Sequence, residues 1–136
     1  MVPGWIRPFC RICAIYDFLL GLAFLLAYKP IFARFGVTLP NHPAYVQFAA
    51  AMVTVIGIGF WYVAQAPERN RDILKLGLLV KVAYVVIVFG YYFKGEMPGL
   101  WVPMGFVDFV MLIGIAAALR ALPALRIVPG VATKGA

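Results

Sequence analysis

Residues 73–93 read Ile73-Leu-Lys-Leu-Gly-Leu-Leu-Val-Lys81-Val-Ala-Tyr84-Val-Val-Ile-Val-Phe-Gly-Tyr-Tyr-Phe93. As a helix rising 1.5 Å per residue, this run is long enough to cross about 30 Å of hydrocarbon. It also carries Lys81 near its middle. An ammonium placed there costs several kcal/mol unless it snorkels, meets water or pairs with a counter-charge. The other apolar stretches hold two acids at interior positions, Asp17 and Asp108, and these are the candidate partners.

Working outward, three more stretches have the same character, at 12–32, 44–65 and 101–119, joined by short connectors and followed by a basic tail over 120–136. Of the 136 residues 65% are hydrophobic and mean hydropathy is +0.96, well beyond the roughly half-apolar composition of soluble domains. The sequence therefore predicts an all-α integral membrane protein with a single transmembrane domain. Only helices and closed barrels satisfy their backbones in lipid, and short connectors make neighbours antiparallel, so the expected architecture is an up-down four-helix bundle.

The ends of the stretches carry ordinary punctuation. Trp5 reads as an interfacial anchor in the flank 1–11. No small-x-small cleavage site precedes Tyr28, Lys29 and Pro30, so the first span reads as a retained anchor. Gly36, Pro40 and Pro43 break the first connector. Pro67 is placed to start the third helix, with Glu68 and Asp72 near its positive end. Ala50, Thr54, Gly57 and Trp61 fall on one stripe of the second span, suited to close helix contact. No internal repeat is evident, although Asp-Phe recurs at 17 and 108.

Twelve Lys and Arg residues against five acids give a net charge of +7. Their placement in ones and twos at the ends of apolar stretches argues for topology and anionic-lipid contact, and against a nucleic-acid partner. One side of the layout holds Arg7, Arg11, Arg69, Arg71, Lys75, Arg120, Arg126 and Lys134, and the other holds Lys29, Arg34 and Lys94. Both termini are expected to be cytoplasmic.

Missing residues exclude whole reaction classes. The chain has no serine, one histidine (His42) and two cysteines. It therefore lacks the parts of a Ser–His catalytic pair, a His-rich metal centre or a phosphate-binding loop. No catalytic residue, metal or cofactor is expected, and His42 reads as a solvated loop residue.

Three constellations are left. Counted along helices, Asp17, Lys81 and Asp108 lie about 9, 12 and 16 Å in from the same side, close enough for a lysine stem to span. Tyr84 shares the Lys81 face, one turn on. The set reads either as a charge-paired pin that fixes helix register or as a ligand or proton site that titrates as a unit. Cys10-Arg-Ile-Cys13 reads as two interfacial hydrophobes or as a thiol redox pair beside Arg7 and Arg11. The charged turn with Glu68, Arg69 and Arg71 reads as a topology signal and cap, or as a docking point for a partner or lipid head group.

Tyr16-Asp-Phe-Leu-Leu-Gly21, the Pro67-Glu-Arg-Asn-Arg71 connector, Lys81 in the third span and Asp108 in the fourth resemble the DoxX-like group of small four-helix bacterial membrane proteins. The resemblance covers most of the chain in layout. It implies a bundle in the bacterial cytoplasmic (inner) membrane, associated in some members with thiosulfate and quinone oxidation or thiol stress. Three functions are expected in descending order. The first is a non-enzymatic accessory or scaffold subunit, packed against other membrane protein subunits. The second is a proton-coupled carrier or binder of a small molecule, for which a lipid or quinone is a candidate, using Asp17, Lys81, Asp108 and Tyr84. The third is a quinone-linked thiol redox protein using Cys10 and Cys13.

Overall fold

The computed structural model describes residues 1–123. Most of the basic tail, with Arg126 and Lys134, lies outside the described residues. The described residues form four α-helices, α1 (Ile6–Phe35), α2 (Ala44–Gln65), α3 (Arg71–Phe93) and α4 (Trp101–Ala121). No strand occurs among the described residues. All four helices are long and apolar enough to cross a membrane.

The first helix is longer at both ends than the apolar stretch suggests. It begins at Ile6, so the expected flank over 6–11 is helical, and Ile6 and Cys10 are buried. Pro8 does not prevent this, because the first turn of a helix has backbone N–H groups without partners in any case. At the other end Pro30 lies inside the helix. Its ring crowds the carbonyl four residues earlier, and Ala27 absorbs the break with φ −131° and ψ 25°. The helix stops at Gly36, whose φ of 64° suits a residue without Cβ. There the Val37 N–H reaches back to the Phe32 carbonyl at 2.9 Å, a Schellman closure.

The α2–α3 turn also departs from expectation. Pro67 does not start α3 but is buried within the turn, and the helix begins at Arg71 after Asn70. The Asn70 side chain explains the shift. Its Nδ2 donates to the Tyr62 carbonyl at 2.8 Å and the Ala66 carbonyl at 3.1 Å, closing the end of α2 before α3 can start. Lys75 pairs with Asp72 at 2.7 Å on the exposed face, a contact worth little.

Small residues let the helices approach closely. A Cβ on Gly57 would lie 2.5 Å from the Phe18 nitrogen and 2.9 Å from the Ala14 carbonyl oxygen, and one on Gly21 would lie 2.6 Å from the Thr54 nitrogen. Rising numbers on α1 thus meet falling numbers on α2. Thr54 keeps its hydroxyl satisfied inside this contact by donating to the Ala50 carbonyl at 2.9 Å. Of the expected stripe on α2, Ala50 and Gly57 are buried here, whereas Trp61 is exposed at the edge.

The apolar interior falls into two clusters. One gathers Ile6, Cys10, Phe60, Leu74 and Ile115. The other gathers Phe24, Tyr28, Phe32, Ala50 and Leu100. Trp101 joins the second cluster, with its ring 5.2 Å from that of Phe24 and 5.9 Å from that of Phe32. Between the two clusters lies a charged layer.

Candidate functional site: a buried charge triad beside an apolar cavity

Each member of the layer comes from a different helix. Asp17 on α1, Lys81 on α3 and Asp108 on α4 are 1%, 3% and 7% exposed. Lys81 Nζ donates to Asp17 Oδ1 at 2.6 Å and to Asp108 Oδ1 at 2.7 Å. These short charge-assisted bonds tie three helices together through one ammonium. The Lys81 Nζ also stands 5.6 Å from the centroid of the Tyr16 ring, within cation–π range.

Local sequence explains how the side chains come to point at one another. Gly77 lies one turn before Lys81, and a Cβ there would meet the ring of Phe60 at 2.6 Å, so α3 lies close against α2 just below the lysine. Gly105, one turn before Asp108, sits against Val88. Close approach on both sides of α3 leaves the Lys81 stem within reach of both acids.

The triad is not fully satisfied. Asp17 Oδ2 is buried and has no hydrogen-bond partner among the described residues. For Asp108 the lysine is the one hydrogen-bond donor among them. Buried acceptors left open in this way are rare in folded proteins.

Asp17, Lys81 and Asp108 also form part of the wall of a cavity of about 330 Å³. The rest of the wall is almost entirely apolar and includes Phe24, Tyr45, Ala50, Tyr84, Trp101 and Met104. The space is open on one side, where the exposed Tyr45 and Ala49 of α2 form its rim. An apolar chamber with a few convergent polar groups is the usual form of a small-molecule site.

The remaining candidates lie elsewhere. Cys10 and Cys13 are free thiols, fully buried in the other apolar cluster. Arg69 is exposed, and Glu68 is partly buried in the turn. Arg71 is turned inward, with Nη2 donating to the Leu119 carbonyl at 2.7 Å and Nη1 to the carbonyl of Leu122, so it closes the C-terminal end of α4. His42 accepts a bond from the Ala44 N–H at 3.1 Å at the start of α2. No three His, Cys, Asp or Glu side chains converge as metal ligands among the described residues.

Sequence reading alone missed the roles of Tyr16, Tyr45 and Trp101 around the site, and the cap made by Arg71. Tyr16 immediately precedes Asp17, which was the available signal. Trp101 was visible only as a residue at a helix start. Comparison with known protein families, with curated proteins and with solved structures finds no match to this chain.

Proposed function

We propose that this chain is an up-down four-helix protein of the bacterial cytoplasmic membrane that binds a small amphiphilic molecule. The apolar body of the ligand fills the cavity, and its polar end meets the Asp17, Lys81 and Asp108 triad. Insertion in lipid is supported by the outward apolar surface. Residues such as Leu26 and Phe93, 75% and 82% exposed, would be an aggregation liability in water but fit a hydrocarbon exterior. The excess of Lys and Arg on the side of the termini supports cytoplasmic ends.

The observation that carries the binding reading is the union of triad and cavity. A register pin needs the ion pairs alone, and the best packing around it would leave no space. Here the charges stand at the wall of an apolar cleft, with a buried carboxylate oxygen of Asp17 left without a partner among the described residues. A polar group inside the membrane with such surroundings is a functional candidate.

The test is to purify the protein in mild detergent and identify what is extracted from it by mass spectrometry. A bound amphiphile at near-stoichiometric level is expected, and it should be lost from Ala49→Trp, which fills the cavity from α2 without touching the triad, while circular dichroism shows the helices retained. An accessory subunit is the second reading. It is favoured by the apolar groove on the outer side of the α1–α2 contact, lined by Ala14, Phe18, Gly57 and Trp61. Recovery of a stoichiometric membrane complex with an empty cavity would decide for it. A solitary protein with only bulk lipid attached would refute both.

A further inference from the structure

The charges around the cavity do not balance. Lys81 supplies one ammonium, whereas Asp17 and Asp108 supply two carboxyls. The other titratable groups around the layer are Cys13 and Tyr16 on α1 and Tyr84 on α3, with Tyr45 on α2 farther along the cavity wall. All four are of types that are ordinarily neutral near pH 7. With both carboxyls ionised, the layer therefore carries one surplus negative charge. That charge sits where an uncompensated ion costs several kcal/mol.

The surplus is also an acceptor. Two of the three Lys81 N–H groups are committed to the aspartates, and the face of Tyr16 lies beside the ammonium. The lysine therefore has little left to hold an anion, and an anion would double the surplus. Asp108 has more exposed side-chain surface than Asp17, lines the cavity, and takes its one described bond through Oδ1. A cation arriving through the cavity reaches this carboxylate while Lys81 stays on Asp17.

Building on the cavity-binding reading, we infer that the ligand is an organic cation, an amphiphilic amine whose ammonium pairs with Asp108 and whose apolar body lies among Phe24, Tyr45, Tyr84 and Trp101. The aromatic faces suit a cation as well as an apolar body. When the site is empty, a proton on one carboxyl takes the place of the cation. Binding then exchanges one for the other: the carboxyl O–H releases H⁺ to water, and the ammonium enters, leaving the layer neutral in both states. Proton and amine compete, so affinity falls as pH falls.

Trp101 provides the readout. In full-length protein carrying Trp5→Phe and Trp61→Phe, reconstituted in phosphatidylcholine nanodiscs, it is the one tryptophan, and a bromine that enters the cavity quenches it. Three probes of like shape are titrated: para-bromophenyl-butylamine, para-bromophenyl-butanol and para-bromophenyl-butyrate, each corrected for its partition into empty nanodiscs. At about pH 8, where an alkylammonium remains charged, the amine is expected to give saturable quenching at a concentration at least about tenfold below the alcohol, with the butyrate weakest. On the acid side the amine should weaken by up to about tenfold per pH unit while the alcohol does not change. Asp108→Asn should remove the preference for the amine and leave the alcohol unaffected.

Equal quenching by alcohol and amine would overturn the charge assignment while the cavity reading stands. Strongest binding by the butyrate would reverse the sign of the site. Absence of saturable quenching by all three would overturn both. If Asp108→Asn fails to fold, the probe series and the pH profile on the unaltered triad still decide.

Discussion

Replacing Lys81 by methionine should weaken the fold by an amount that depends on pH. Methionine nearly matches the lysine stem in length and packs flexibly, so lost van der Waals contact is a minor part of the effect. The main loss is the counter-charge, since the ammonium now bonded to Asp17 and Asp108 at 2.6 and 2.7 Å disappears. The folded variant must then take up one proton more than its parent. Protonating an ordinary aspartate, with a pKa of about 3.9, costs about 1.36 kcal/mol per unit of pH above that value, or about 4 kcal/mol at pH 7 and about 1.5 kcal/mol at pH 5. The first figure agrees with the roughly 3–5 kcal/mol lost when one partner of a buried pair is removed. The sign follows from linkage. The folded variant binds more protons than the unfolded chain, so its stability falls as pH rises, and its deficit against the parent shrinks on acidification by about 2.7 kcal/mol between these values. Reversible unfolding by SDS in mixed micelles, followed by far-UV circular dichroism at the two pH values, measures this. A triple variant with Asp17→Asn, Lys81→Met and Asp108→Asn carries no buried charge and should regain most of the loss. A deficit below about 1 kcal/mol at pH 7, or one that is the same at both pH values, would refute the reasoning.

Three further outcomes can be checked with the same protein. Gly57→Val should destabilise by about 1–3 kcal/mol in the same SDS assay, because its Cβ would meet the α1 backbone at Phe18 and Ala14; Gly90→Ala, with open space around it, should be neutral or slightly stabilising. Arg71→Met should cost about 2 kcal/mol by freeing the Leu119 and Leu122 carbonyls, with faster hydrogen exchange confined to the last turn of α4; unchanged exchange there would show that the cap is idle. Cys10 and Cys13, both fully buried, should resist a maleimide reagent in the folded protein and react promptly on unfolding. Rapid labelling of the folded state would support a thiol role.

The four long apolar helices could be read from composition and length, because the hydrocarbon thickness that a spanning helix must cross sets a length visible in any apolar run. The helix ends differ from expectation, and Trp61 of the expected contact stripe is exposed. Apolarity says where lipid begins, whereas hydrogen bonds such as those of Asn70 to the end of α2 decide where a helix starts. Pro8 within α1 makes the same point, since a proline is a break in the middle of a helix and harmless in its first turn.

The candidate site divides along a similar line. The sequence by itself determined that Lys81 needed a counter-charge and that Asp17 and Asp108 were the acids at comparable depth, since burying an ion is costly and depth follows from residue count. It also determined that one ammonium cannot balance two carboxylates when all three are ionised, which is arithmetic. Only the tertiary structure decided that all three meet at one ammonium, because that depends on how each helix is rotated about its axis, and close contacts at Gly57, Gly77 and Gly105 set those rotations. The cavity beside them was equally out of reach. It is lined by side chains from all four helices, among them Phe24, Tyr45, Tyr84 and Trp101. A void is a property of how such surfaces fail to fill space together, and no single helix records it.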